Sequence, residues 1–123
     1  MNDGLHPLGQ TVIAVLFLGG AVQKLVAPEQ VQAIIAGNGL PPVLVAPVAA
    51  FNLVAGLCLI TGPRVRAWAI LLACYCLFTA FFHWQLRADP WQMTIMVKNI
   101  AIAGGLLILA AQGPGRFVIW SQV

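Results

Sequence analysis

The sequence predicts an all-α polytopic membrane protein, a four-transmembrane-helix bundle with a short interfacial helix between the first and second spans. Three observations predict it. Hydrophobic residues make up 61% of the 123-residue chain and charged residues 7%, against roughly a quarter charged in a soluble domain. The six Lys or Arg and three Asp or Glu are clustered, leaving uncharged stretches at 4–23, 30–63, 67–86 and 99–115. Each is close to or beyond the roughly 20 apolar residues that cross a bilayer at about 1.5 Å rise per residue. Residues 1–123 are therefore expected to form one membrane domain, with no globular extramembrane part.

The first span is expected over 8–27, where Pro28 stops it because proline lacks an amide proton and clashes with the preceding turn. Pro28 suits the first position of a new helix, expected over 28–36 and lying in the interface. Val31, Ile34 and Ile35 fall on one side of it, and Glu29, Gln30 and Gln32 on another. The run Gly37-Asn38-Gly39-Leu40-Pro41-Pro42 turns the chain back. The second span is expected over 42–61, and Gly62-Pro63-Arg64-Val65-Arg66 is a short turn into the third, 65–86. Asp89 is an N-cap and Pro90 the first residue of the fourth span, 90–111. Gly113-Pro114-Gly115 ends regular structure, and the apolar tail 116–123 is expected to lie on the membrane.

Trp68 and Trp84 bracket the third span and Trp91 and Trp120 flank the fourth, as indoles do at interfaces. Small residues at four-residue spacing, Ala46 with Ala50, Asn52 with Gly56 and Ala101 with Gly105, allow close helix approach.

The net charge of +3 suits nucleic acid in a soluble protein, but beside membrane spans Lys and Arg record orientation, so no nucleic-acid partner is expected. Arg64, Arg66 and Arg116 share one side with both termini, which predicts a multi-pass cell-membrane protein with both termini cytoplasmic. The start of the chain lacks the cationic region of a signal peptide, so the first span is expected to be retained. Cys58, Cys74 and Cys76 are odd in number and lie within spans, and no disulfide is expected.

Alternating topology brings the end of the first span, the start of the second, the end of the third and the start of the fourth to one membrane face. At about 1.5 Å per residue, Lys24 and His83 lie about 4–5 Å below that boundary, Lys98 about 7–8 Å, Asn99 about 9 Å and Asn52 about 15 Å. Thr79, Cys76, Tyr75 and Trp68 continue the His83 stripe. Ionisable groups in a membrane usually face the bundle interior, because a charge at mid-depth costs roughly 2.5–3.5 kcal/mol on insertion scales.

The functional expectation is thus a polar funnel with His83 and Lys98 as acid and base and Lys24, Asn52, Thr79 and Asn99 as ligand-binding groups. The competing readings are lysine stems reaching up to the headgroups and Asn52 and His83 serving as hydrogen bonds between helices. Glu29 and Asp89, at the mouth, are either counter-charges or an ordinary interface residue and a cap. No metal site is expected, since His6 and His83 lie at opposite faces and no Cys or carboxylate stands in ligand spacing beside His83. A haem with His83 as its single ligand is a minor alternative.

The pattern also resembles the DoxX family of small four-helix membrane proteins. The matching residues are Gly19-Gly20 with Lys24-Leu25, Gly39-Leu40-Pro41, Gly56 through Gly62 with Arg66-Ala67, Lys98-Asn99 with Gly104-Gly105, and Gly113-Pro114-Gly115-Arg116. Asn52 stands where the family often has a glutamate, and Phe117-Val118-Ile119 where an acidic residue often follows the final Gly and Arg. The resemblance implies a membrane subunit linked to redox chemistry.

The leading expectation is a DoxX-like subunit in the lipid bilayer that binds a quinone or similar lipophilic small molecule and works with a partner oxidoreductase, or as a homo-oligomer. Phe81 and Phe82 are expected to cover the ligand's tail. A non-catalytic scaffold contacting partners through Ala101 and Gly105, and a stand-alone isomerase-type enzyme using His83 and Lys98, are the alternatives.

Overall fold

The computed structural model describes residues 5–61 and 64–113. They form five helices: α1 (Leu5–Val26), α2 (Glu29–Gly37), α3 (Val45–Thr61), α4 (Val65–Gln85) and α5 (Pro90–Gln112). A single 3-10 turn, Pro42–Leu44, leads into α3. With that turn included, four segments are long and apolar enough to cross a membrane: Leu5–Val26, Pro42–Thr61, Val65–Gln85 and Pro90–Gln112.

The spans follow the expected order, and their ends differ for local reasons. α1 starts three residues before the expected Leu8, since Pro7 sits in its first turn, where a missing amide costs nothing. The second span opens with a 3-10 turn because Pro47 cannot donate to Val43, four residues back, so an α ladder does not close there. Pro28 is the N-cap of α2 rather than its first residue. α2 ends in a Schellman turn, with Gly39 N–H donating to the Ala36 carbonyl (3.0 Å) and Leu40 N–H to the Ile35 carbonyl (3.2 Å). That turn places Gly39 at φ +79, a conformation glycine adopts without a Cβ penalty. Asp89 caps α5 as expected, its carboxylate accepting from Trp91 N–H at 3.0 Å. The expected interfacial tail 116–123 and Trp120 lie outside the described residues.

Packing divides the bundle along the membrane normal. At the end where α3 passes to α4, small and branched residues close a dense core: Ala14 from α1, Ala55 and Leu59 from α3, Ala69 and Leu72 from α4, and Ala103 and Leu106 from α5. All seven are nearly inaccessible. Gly56 makes the α1–α3 contact possible, since a Cβ there would lie 2.9 Å from Leu18 side-chain carbons and 3.2 Å from the Ala14 carbonyl oxygen. Among the paired small residues of the sequence, Ala46, Ala50 and Ala101 face outward, while Gly56 and Gly105 face α1. The opposite end is hollow.

Candidate functional site

The hollow end encloses about 690 Å³, within the usual 300–1,000 Å³ range of small-molecule sites. α2 roofs it with Val31, Ile34 and Ile35. That roof is fastened to α4 through Asn38, whose amide donates to the Ile34 carbonyl (2.9 Å) and to the Phe82 carbonyl (3.4 Å). Gly37 rests on Leu86, so closely that an added Cβ would lie 3.1 Å from a Leu86 methyl.

Lys24, Asn52, Thr79, His83, Lys98 and Asn99 all line this one cavity. Their convergence follows from depth: each helix contributes at the level where the four spans share a face. Lys24 does not extend toward the headgroups. Its ammonium turns back along α1 to within 3.4 Å of the Gly20 carbonyl, toward the middle of the bilayer.

Three polar contacts hold the walls together. Asn99 of α5 donates to Thr79 Oγ1 of α4 at 3.1 Å, and Thr79 in turn donates to the Cys76 carbonyl at 3.1 Å. His83 Nδ1 is paired with Gln92 Oε1 of α5 at 2.5 Å. With Oε1 as acceptor, the ring proton sits on Nδ1 and leaves Nε2 of neutral histidine as an acceptor. Tyr75 of α4 donates to Asn52 Oδ1 of α3 at 3.4 Å.

Asn52 has a further property. It is 1% exposed, yet its Nδ2 atom has no hydrogen-bond partner among the described residues. A buried amide without a partner costs about 1–3 kcal/mol, so this donor is either a defect or a binding group. Its position in the cavity lining favours the second.

Several cavity residues are not among the expected site residues. Gln92 is the partner of His83, Tyr75 hydrogen-bonds Asn52, and Phe17 stacks edge-on against Tyr75 with ring centroids 6.4 Å apart. Gln92 is the third residue of α5, in its first turn next to the interface, where a glutamine ordinarily faces headgroups. Phe82 lines the cavity and Phe81 does not. Phe78 takes the place expected for Phe81, since residues four apart share a helix face, and its ring stacks on Phe82 at 4.8 Å. Trp68, expected on the His83 stripe, packs instead against Phe51 at 6.2 Å in the dense half. Glu29 and Asp89 are not among the lining residues.

The cavity opens sideways. Leu16, Gly19 and Gln23 of α1, and Trp91 and Lys98 of α5, both line it and are exposed. Ile13 and Gly105 bring α1 and α5 into contact farther toward the packed end. The gap between these helices therefore faces lipid at the level of the polar residues.

Among the described residues no group of three His, Cys, Asp or Glu side chains is placed to hold a metal ion.

Residues 8–85 match the family model DoxX. Inner membrane protein YqjF of Escherichia coli (strain K12) is 27% identical over 112 residues, an alignment covering 91% of this chain and 86% of YqjF. No solved structure matches.

Proposed function

Starting from the fact that the chain belongs to the DoxX family and is a multi-pass membrane protein, we propose that its cavity binds a quinone or similar lipophilic small molecule. In this reading it serves a partner oxidoreductase. The carrying observation is the unpaired Asn52 amide on the floor of a chamber that opens to lipid. A quinone supplies what that amide lacks, a carbonyl acceptor on an apolar ring, and it reaches the chamber through the bilayer in which it dissolves.

The other polar groups fit the same head group. Lys98 stands at the lateral opening as a donor, and Asn99 keeps a second amide proton after donating to Thr79. His83, oriented by Gln92, is the group that exchanges a proton with a bound ligand, with Lys98 as its companion. When bound, a quinone would supply two-electron chemistry, and the electrons come from the partner. Phe78 and Phe82 cover the ring or the first part of the tail.

Arg64 and Arg66 at the α3–α4 turn support an orientation with that turn and both termini in the cytoplasm, so the cavity opens to the outer half of the bilayer.

The test is quinone-linked respiration in membranes of the source cell. Replacing the chromosomal copy with His83→Ala, Lys98→Gln should lower respiration through the partner while leaving chain abundance intact. Unchanged respiration, together with purified protein that carries and binds no quinone, would overturn the proposal.

A further inference from the structure

The cavity is rich in hydrogen-bond donors and lacks any carboxylate. Its lining includes two lysines, and neither of the acids among the described residues, Glu29 and Asp89, contributes to it. Lys24 makes one contact, with its own helix carbonyl at 3.4 Å, and no ion pair joins Lys24 or Lys98 among the described residues. Two like charges facing one chamber in a low-dielectric slab repel. Ionisable groups inside membrane bundles pair with one another or with backbone carbonyls. Asn52, uncharged and 1% exposed with its amide nitrogen unpaired among the described residues, lines the same chamber as both lysines.

We infer that the natural ligand carries an anionic oxygen head group on a single apolar chain, as in a long-chain carboxylate or an acidic hydroxyquinone, and that the ligand itself is the missing counter-charge. Lys24 and Lys98 hold the anionic oxygen, and Asn52 Nδ2 donates to an oxygen on the deep side of the head group. The chain leaves through the gap between α1 and α5, past Leu16 and Gly19. This inference rests on the proposed cavity function and narrows it to one charge class.

Native mass spectrometry of the full-length chain in neutral detergent provides the test, using two matched pairs of probes and one neutral quinone. The first pair is decanoate and decan-1-ol. The second is a 2-hydroxy-3-alkyl-1,4-naphthoquinone and its O-methyl ether, which differ by one acidic proton. The neutral quinone is decylubiquinone.

The acid of at least one pair is expected to bind about tenfold or more tightly than its neutral mate. That preference should vanish in Lys24→Gln, Lys98→Gln and persist in Lys24→Arg, Lys98→Arg. Thermal melting of the detergent-solubilised variants, within a few degrees of the parent, verifies that they fold. Preference in the first pair alone identifies a carboxylate, and in the second alone an acidic quinone, each upholding the inference. Equal affinity within both pairs, or a preference that survives in the glutamine variant, overturns it. If decylubiquinone still binds in that case, the cavity function stands and only the charge class falls; if none of the five probes binds, both fall.

Discussion

Tyr75 on α4 donates its hydroxyl proton to Asn52 Oδ1 on α3 at 3.4 Å, and so fixes the Asn52 amide with its nitrogen unpaired at the cavity floor. Oxygen and nitrogen of one side chain thereby have separate tasks. The oxygen adds a polar bond to the α3–α4 contact, where Phe51 also packs on Tyr75 at 5.4 Å, and the nitrogen remains available to a ligand.

Removing both members of that pair should cost little stability. In Asn52→Leu, Tyr75→Phe the unpaired donor and its neighbour disappear together, and replacing both partners by apolar groups of similar shape is close to neutral. The double variant should unfold in detergent titration within about 1 kcal/mol of the parent, yet lose decylubiquinone binding. A large loss of stability would mean that the pair serves chiefly as structure.

His83 and Gln92 should be energetically coupled across α4 and α5. A double-mutant cycle with His83→Ala and Gln92→Ala, read by unfolding in detergent, should give a coupling of about 1 kcal/mol or more. Additive effects would show that the contact contributes nothing.

Gly56→Val should loosen the α1–α3 seam. Even the first added carbon meets Leu18 at 2.9 Å, and such overpacking costs about 1–3 kcal/mol. Gly104 has no neighbour within 4 Å of a Cβ position, so Gly104→Ala should be neutral or stabilise by up to about 1 kcal/mol through helix propensity. Equal effects at the two glycines would contradict the packing described.

Cys76 lines the cavity and is buried, whereas Cys74, two residues away, is exposed on another face of α4. A membrane-permeant maleimide should therefore be blocked by ligand at Cys76 alone. With decylubiquinone at ten times its Kd, labelling of Cys76 should slow about tenfold, while Cys74 labelling stays constant. Tandem mass spectrometry of the peptide that carries both cysteines, with fragment ions on either side of Tyr75 locating the label, reads the difference.

The depth of the site was legible in the sequence because charge placement fixes the spans and helical rise converts residue number into depth. Lys24, Asn52, Thr79, His83, Lys98 and Asn99 all come to one chamber for that reason. Rotation about each helix axis was far less legible. In lipid, outward-facing and core-facing residues are both apolar, so α4 carries little angular signal. Phe81 and Phe78 consequently exchange places relative to expectation. Gln92 carries no signal in the sequence because a glutamine in the first turn of a helix is ordinary at an interface, and only the juxtaposition of α4 and α5 reveals His83 beside it. The division into a dense half and a hollow half has a compositional trace: Ala55, Ala69 and Ala103 lie toward one end and the lysines toward the other. Volume emerges only when the helices are assembled.

The most direct test of the cavity is photolabelling of the full-length chain in nanodiscs with an azido-quinone, followed by peptide mapping. The account predicts saturable labelling, competed by decylubiquinone, confined to chamber-facing positions such as Phe82, Ile95 and Asn99. Labelling that rises without saturation and falls equally on lipid-facing residues such as Leu107 and Ile108 would contradict it.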